Sequence, residues 1–124
     1  MLPTLVPTLA ALDVGDNDIG ADGVAALAPT LSALRGLRAL WLGSNGIDAA
    51  GMAALAPALC AVTALTLLDL GRNCLGALGG AHLAPAISRL TDLRKLQLAS
   101  CGLTPAGVEA LAPALCHLNR TRPC

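Results

Sequence analysis

Apolar and polar positions along this chain follow one frame that occurs four times. In its second copy the frame reads L-x-x-L-x-L-x-x-N-x-I, from Leu37 to Ile47. The other copies span residues 9–19, 65–75 and 93–103, and each copy begins 28 residues after the one before it. A period held this strictly indicates a repeat architecture, so the repeat governs how the remaining residues are interpreted.

Each unit combines two hydrophobic periods. The alternation in Leu40-Trp41-Leu42 predicts a short, half-buried strand. After the frame, apolar residues recur three and four positions apart, which predicts a helix with one buried face. One strand–turn–helix unit cannot bury that face alone, so we expect the units to stack around a continuous core. The predicted inward helix positions are Val24, Leu27, Ala28, Leu31, Leu34, Met52, Leu55, Ala56, Leu59, Val62, Leu83, Ala84, Ile87, Leu90, Val108, Leu111, Ala112, Leu115 and Leu118.

This frame resembles the leucine-rich repeats of the ribonuclease-inhibitor type, which share its leucine spacing, its 28-residue unit and its Ala-Leu-Ala-Pro helix segment. Cys101 stands where the other copies have Asn17, Asn45 and Asn73, and that subfamily uses either residue there. The resemblance implies an α/β fold, a right-handed solenoid or horseshoe segment with parallel strands on the concave face and helices on the convex face. The family includes ribonuclease inhibitor, Ran GTPase-activating protein and nucleotide-binding leucine-rich receptors, so the repeat alone does not select one function.

The repeats are expected to form a single leucine-rich-repeat domain over residues 1–124. Its predicted divisions are a partial repeat at 1–11 and full repeats at 12–39, 40–67, 68–95 and 96–124. The sequence starts in mid-unit and stops where a fifth strand would begin. We therefore expect a piece of a longer repeat array, an incomplete gene product, or end-to-end self-association.

Two other interpretations of the apolar stretches fit less well. A signal peptide would need basic residues near Met1, and the first residues contain neither Lys nor Arg. The uncharged run 49–68 has the length of a membrane span, about 20 residues. Gly51 and Pro57 interrupt that run, and its copies in the other repeats carry charged residues. We therefore expect no membrane association.

The helices carry recurring start signals and prolines. Asp48 is expected to cap one helix, and Thr104 followed by proline another, whereas glycine at the equivalent places predicts weaker caps. Prolines recur well inside the predicted helices, each after a core residue, so we expect them to face solvent and bend each helix over its strand. The alternative is a helix that ends at its proline and continues as a looser turn. These residues are Pro29, Pro57, Pro85 and Pro113.

The recurring asparagines have a structural interpretation. A buried turn leaves backbone amides and carbonyls that need partners, and an asparagine side chain supplies both donors and an acceptor. We therefore expect a ladder of stacked asparagines between layers. The cysteines fit neither a zinc pattern nor an obvious disulfide framework, so we expect free thiols in the reducing cytoplasm. They are Cys60, Cys74, Cys101, Cys116 and Cys124.

Composition argues against several functional classes. Eight basic and eight acidic residues give a formal net charge of zero, which gives no general attraction to nucleic acid or to an anionic membrane. One Trp with no Phe or Tyr leaves no stacking platform for single-stranded nucleic acid. The carboxylates between Asp13 and Asp22 do not match a calcium loop, and no nucleophile lies at motif spacing from a base. We expect no enzyme activity, no cofactor and no metal site.

The candidate functional residues lie between the strand leucines and in the turn that follows them. Such residues point away from the core, and here they vary from repeat to repeat while the leucines do not. Trp41 is the strongest candidate because tryptophan is favoured at interface hot spots. The alternative is a solvated sheet in which Trp41 shields a neighbouring layer. The predicted partner-binding residues are Asp13, Asp16, Trp41, Ser44, Leu67, Asp69, Arg72, Lys95 and Gln97.

These observations predict a non-catalytic scaffold that binds a protein partner through its concave strands. The variable outward residues on a repeated framework are the basis of that expectation. The family resemblance implies an alternative, a regulatory fragment of the GTPase-activating or innate-immune-receptor type.

Overall fold

The computed structural model describes residues 9–116, and they form four consecutive strand–helix units. Each unit has a three-residue strand, a turn and a longer helix, as the change of hydrophobic period predicts. The elements are β1 (Ala11–Asp13), α1 (Gly20–Ala33), β2 (Ala39–Trp41), α2 (Ala49–Leu59), β3 (Leu67–Asp69), α3 (Gly76–Arg89), β4 (Lys95–Gln97) and α4 (Thr104–Cys116).

The strands form one parallel sheet in the order β1-β2-β3-β4. Each strand residue pairs with the residue 28 positions later, so Leu12, Leu40, Leu68 and Leu96 lie in one row. Helices of successive units pack against each other in the same order. The predicted leucine-rich-repeat solenoid is confirmed.

The core lies between the sheet and the helices. Leu40 and Leu68 in the two central strands are fully buried, whereas their counterparts in the outer strands are half-buried. Most predicted inward helix positions are buried or packed against the core. Val108 and Ala112 are exceptions, because they lie on α4 and are exposed where the described residues place no further helix against them. Leu118 lies outside the described residues.

A ladder of side-chain hydrogen bonds connects successive turns. Asn45 Oδ1 accepts from the amide of Asn17 at 2.9 Å, and Asn73 Oδ1 accepts from the amide of Asn45 at 3.0 Å. The Nδ2 groups donate to carbonyls of their own turn and of the preceding one, as when Asn73 Nδ2 contacts Leu42 O at 3.1 Å. In the last described layer, Cys101 Sγ donates to Leu70 O at 3.1 Å. The predicted ladder is confirmed, with a thiol as its last member.

The four recurring prolines lie inside helices and are exposed. Every helix continues past its proline, so the alternative in which the helix ends there is wrong. Asp48 caps α2 as predicted, since its Oδ1 accepts from the amide of Gly51 at 2.9 Å. Thr104 differs, because its backbone has φ 59°, close to the value of Gly20 and Gly76 and unlike the extended backbone of a capping residue.

Glycines bring neighbouring helices close together. A Cβ atom at Gly80 would lie 3.1 Å from Gly107 O and 3.2 Å from Gly107 Cα. A Cβ atom at Gly107 would lie 3.2 Å from Ala77 Cα, and one at Gly51 only 2.9 Å from a methyl group of Ile47. These glycines are therefore required by packing between α3 and α4 and at the start of α2.

The cysteines differ from the expectation of five free thiols. Cys60, Cys74 and Cys101 are free, and Cys101 is buried. Cys116 is disulfide-bonded, so the expectation is wrong for this residue. Cys124, the fifth cysteine, lies outside the described residues.

Candidate protein-binding face

The outward residues of the strands and of the turns after them form one continuous surface, called here the strand face. The parallel register places Asp13, Trp41, Asp69 and Gln97 in one row across the sheet. A second row consists of Ala11, Ala39, Leu67 and Lys95. The sequence therefore predicted which residues are neighbours, because each lies 28 positions from the next.

Three members of the Trp41 row hydrogen-bond to the backbone two residues later. Asp13 Oδ1 accepts from Gly15 N at 2.9 Å, and Asp69 Oδ1 accepts from Gly71 N at 2.8 Å. Gln97 Oε1 accepts from Ala99 N at 2.9 Å. These contacts fix each side chain at the end of its strand. This structural role was not predicted, although the two-residue spacing of an Asx turn from Asp to Gly is visible in the sequence.

The turn after each strand contains a residue in the left-handed backbone region. Asp16, Ser44, Arg72 and Ser100 have φ between 56° and 58°. The amides of Asp16, Ser44 and Arg72 donate to the next layer, as when Ser44 N contacts Gly71 O at 2.9 Å. The interlayer hydrogen bonds thus hold non-glycine residues in a conformation that is costly for them. As a result, Asp16, Ser44 and Arg72 lie beside the Trp41 row.

All nine predicted partner-binding residues line one of two adjoining depressions on the strand face. The larger has a volume of about 450 Å³ and is lined by Asp13, Gly15, Asp16, Trp41, Gly43, Ser44, Asp69, Gly71, Arg72, Gln97 and Ala99. The smaller, of about 370 Å³, is lined by Trp41, Leu67, Leu68, Asp69, Lys95, Leu96 and Gln97. Trp41, Asp69 and Gln97 border both depressions, and Trp41 lies on β2, one of the two central strands.

Small residues line the larger depression beside the acidic and aromatic side chains. Gly15, Gly43 and Gly71 recur at the repeat spacing, and Ala99 takes the fourth place. A Cβ atom at Gly43 would lie 3.2 Å from Gly71 O and 3.5 Å from Asp69 Oδ1. These glycines are not among the predicted site residues, although their 28-residue recurrence is visible in the sequence.

Apolar and charged residues are unevenly distributed on the strand face. Trp41 and Leu67 are half-buried at its centre. Asp13 and Asp16 are exposed on the β1 side, and Lys95 is exposed on β4. Asp69 and Arg72 carry opposite charges beside the apolar centre. The face therefore combines an apolar centre with charged groups of both signs, which favours a partner whose charges complement that arrangement.

Within 9–116, no group of three or more His, Cys, Asp or Glu side chains is arranged to hold a metal ion. Burial raises the pKa of the Cys101 thiol above its ordinary value, an effect that hydrogen bonds from the Asn73 and Arg72 backbone oppose. The thiol is therefore protonated and unreactive at neutral pH. Across the same residues, no helix has both the length and the hydropathy to cross a membrane.

Comparisons with known proteins agree on the architecture. The sequence model of a family described as Leucine Rich repeat matches residues 7–28, 35–56, 63–84 and 89–112. No curated protein matches the chain. The structure of Leiomodin-1 Actin-Binding Site 2 matches with a TM-score of 0.75 and 18% sequence identity, covering 92% of this chain and 68% of that one. The C-terminal domain of Caenorhabditis elegans tropomodulin matches with a TM-score of 0.66 and 15% identity, covering 90% and 66% respectively. The chain thus spans about two thirds of each matched structure, and at these identities the likeness shows a shared fold.

Proposed function

This chain belongs to the leucine-rich repeat family and has repeats of the ribonuclease-inhibitor-like type, and from this premise we propose that it is a non-catalytic scaffold for another protein. The partner binds on the strand face, which is the concave face of such a solenoid. The observation that carries the proposal is the half-buried Trp41 between two depressions lined by the variable residues.

Trp41 is half-buried, so part of its apolar side chain is open to a partner. A tryptophan side chain can bury about 150–250 Å² of surface, and aromatic residues contribute strongly to interface energies. The side chain has a row neighbour on each side, and Leu67 in the adjacent row extends the apolar area. An apolar centre with a charged surround matches the anatomy of protein interfaces, in which a buried core is enclosed by a polar rim.

Trp41→Ala tests the proposal. The chain, immobilised and exposed to lysate of its source cells, should capture a partner that the variant binds about 30-fold more weakly or worse, the effect expected for a tryptophan hot spot. Leu78→Ala is the matched control, because Leu78 is a large apolar residue on α3 that is 69% exposed and lies away from the strand face. Unchanged circular dichroism confirms that both variants fold. Equal capture by wild type and Trp41→Ala, or loss of capture in Leu78→Ala alone, would refute the proposal.

Actin is the first defined protein to test as the partner. Leiomodin-1, whose matched structure is described as an actin-binding site, shares this fold over most of the present chain. Co-sedimentation of the chain with filamentous actin and gel filtration with monomeric actin would measure the interaction directly. Binding that is lost in Trp41→Ala would support actin as the partner on the strand face. Absence of binding to both forms would exclude actin and leave the lysate experiment to identify another protein.

A further inference from the structure

Two carboxylates flank the indole of Trp41 in the sheet. Asp13 pairs with Trp41 on one side, and Asp69 pairs with it on the other. All three residues line the larger depression. In both aspartates, Oδ1 is held by a backbone amide, at 2.9 Å in Asp13 and 2.8 Å in Asp69. The carboxylates are therefore positioned at the ends of their strands before any ligand binds.

The backbone contact does not require a negative charge. Gln97 occupies the same row and accepts the equivalent hydrogen bond through its neutral amide oxygen, at 2.9 Å from Ala99 N. The charges of Asp13 and Asp69 are thus not explained by the turn that each side chain stabilises. They place two negative groups beside an aromatic face, in a row that also contains a neutral member.

We propose that the depression over Trp41 receives an arginine side chain of the protein partner; this inference rests on the function proposed above and names the chemistry recognised there. The guanidinium stacks on the indole face and donates hydrogen bonds to Asp13 and Asp69. A cation over an aromatic ring is attracted to the ring face, and charge-assisted bonds to carboxylates add to that attraction. Asp13 and Asp69 are two strand spacings apart, about 10 Å, so a planar group centred on Trp41 faces one carboxylate on each side.

Arginine fits this arrangement better than lysine. Its guanidinium is planar, stacks on aromatic rings and directs donors outward around the plane, whereas an ammonium group is a compact, strongly hydrated charge. Arg72 is exposed and lines the same depression, so its own positive charge opposes the incoming guanidinium. Removing that charge by Arg72→Gln should therefore tighten binding of an arginine-containing ligand.

The experiment uses a library of random octapeptides selected on the full chain. The selected peptides should share an arginine, and binding should be followed by the fluorescence anisotropy of a dye on the peptide, because the chain has one Trp and its variant without Trp41 has no intrinsic signal. Replacing that arginine with citrulline, its neutral isostere, should weaken binding at least about tenfold, and lysine should bind more weakly than arginine. Arg72→Gln should strengthen binding up to about fivefold. Arg89 is also exposed but does not line the depression, so Arg89→Gln should leave binding unchanged.

Asp13→Asn with Asp69→Asn provides the matched test on the protein side. Asparagine keeps the oxygen that accepts the backbone hydrogen bond, so the fold is retained while two charges are removed. Binding of the selected peptide should fall at least about tenfold, and Asp22→Asn with Asp92→Asn, which removes two exposed charges elsewhere, should leave it unchanged.

The possible outcomes separate the two proposals. Peptides that depend on Trp41 but contain no arginine, or that tolerate citrulline, would overturn the arginine inference and leave the protein-binding face intact. An unchanged affinity in the double Asp variant would also overturn it. A library that yields no Trp41-dependent peptide would count against both proposals.

Discussion

Replacing Asn73 with alanine removes a buried side chain that makes five hydrogen bonds in the turn ladder. Asn73 is 1% exposed. Its Oδ1 accepts from the amides of Asn45 and Ile47, both at 3.0 Å. Its Nδ2 donates to the carbonyls of Leu42 at 3.1 Å and Leu70 at 2.8 Å. Alanine therefore leaves backbone groups of two neighbouring layers without these partners.

The magnitude follows from the number of groups affected. A buried polar group that loses its partner costs about 1–3 kcal/mol. Water entering the space left by the amide replaces some of these contacts, so we expect Asn73→Ala to lower the free energy of unfolding by about 3–5 kcal/mol. That is a large fraction of the roughly 5–15 kcal/mol that stabilises an ordinary domain.

The assay is urea unfolding followed by circular dichroism at 222 nm. Asn17→Ala is the control, because Asn17 is exposed and donates to two carbonyls, at 2.8 Å and 3.1 Å, that water can also reach. It should cost about 1 kcal/mol or less. Asn73→Cys should be less damaging than Asn73→Ala, because a thiol retains a weak donor at the same place. A loss in Asn73→Ala within 1 kcal/mol of the Asn17→Ala loss would refute the argument that interlayer bonds carry this stability.

The other predictions concern packing and the last described member of the ladder. Gly80→Ala should lower the free energy of unfolding by about 1 kcal/mol or more in the same urea assay, because its Cβ would meet the backbone of Gly107, although helix propensity alone favours alanine. Ala81→Gly, at an exposed place in the same helix, should cost about 1 kcal/mol, and stabilisation by Gly80→Ala would show that propensity dominates. Cys101→Asn should stabilise the fold by about 1–2 kcal/mol, since it supplies the acceptor that asparagine gives elsewhere in the ladder, and a loss of stability would contradict this. Burial raises the pKa of the Cys101 thiol in the folded state, so the unfolded state loses this proton at a lower pH. The free energy of unfolding should therefore keep its full contribution from Cys101 below about pH 9 and decline as the pH rises further. Urea unfolding from pH 7 to 10 measures this decline, which should disappear in Cys101→Asn.

The repeat period made most of the fold predictable. Once Asn17, Asn45 and Asn73 are aligned, the leucines fall into rows, and the row containing Trp41 follows without further assumption. The asparagine ladder was also predictable, because a buried turn has few other ways to satisfy its backbone groups. Placement of the nine candidate residues on one surface follows from the same alignment, whereas their role in binding remains a prediction.

The remaining features depend on contacts that one sequence position does not reveal. Ser44 and Arg72 have no intrinsic preference for positive φ, and the hydrogen bonds to the next layer impose that conformation. In the sequence Gly80 is only a residue of low helix propensity, and its packing role becomes visible when the backbone of Gly107 is placed beside it. The double role of Asp69, which holds its own turn and borders both depressions, also requires the actual geometry.

The ladder runs in one direction along the solenoid. Asn45 Oδ1 accepts from the amide of Asn17, and Asn73 Oδ1 accepts from the amide of Asn45. The Cys101 thiol donates to Leu70 O in the preceding unit. The side chain of each unit therefore hydrogen-bonds to backbone groups of the unit before it. Excising the unit of β1 and α1 would leave the later turns with their side-chain acceptors, whereas excising the unit of β4 and α4 would orphan groups in the turn before it. Deletion variants should therefore differ in local stability, with faster amide hydrogen exchange spreading inward from the end that has lost β4 and α4.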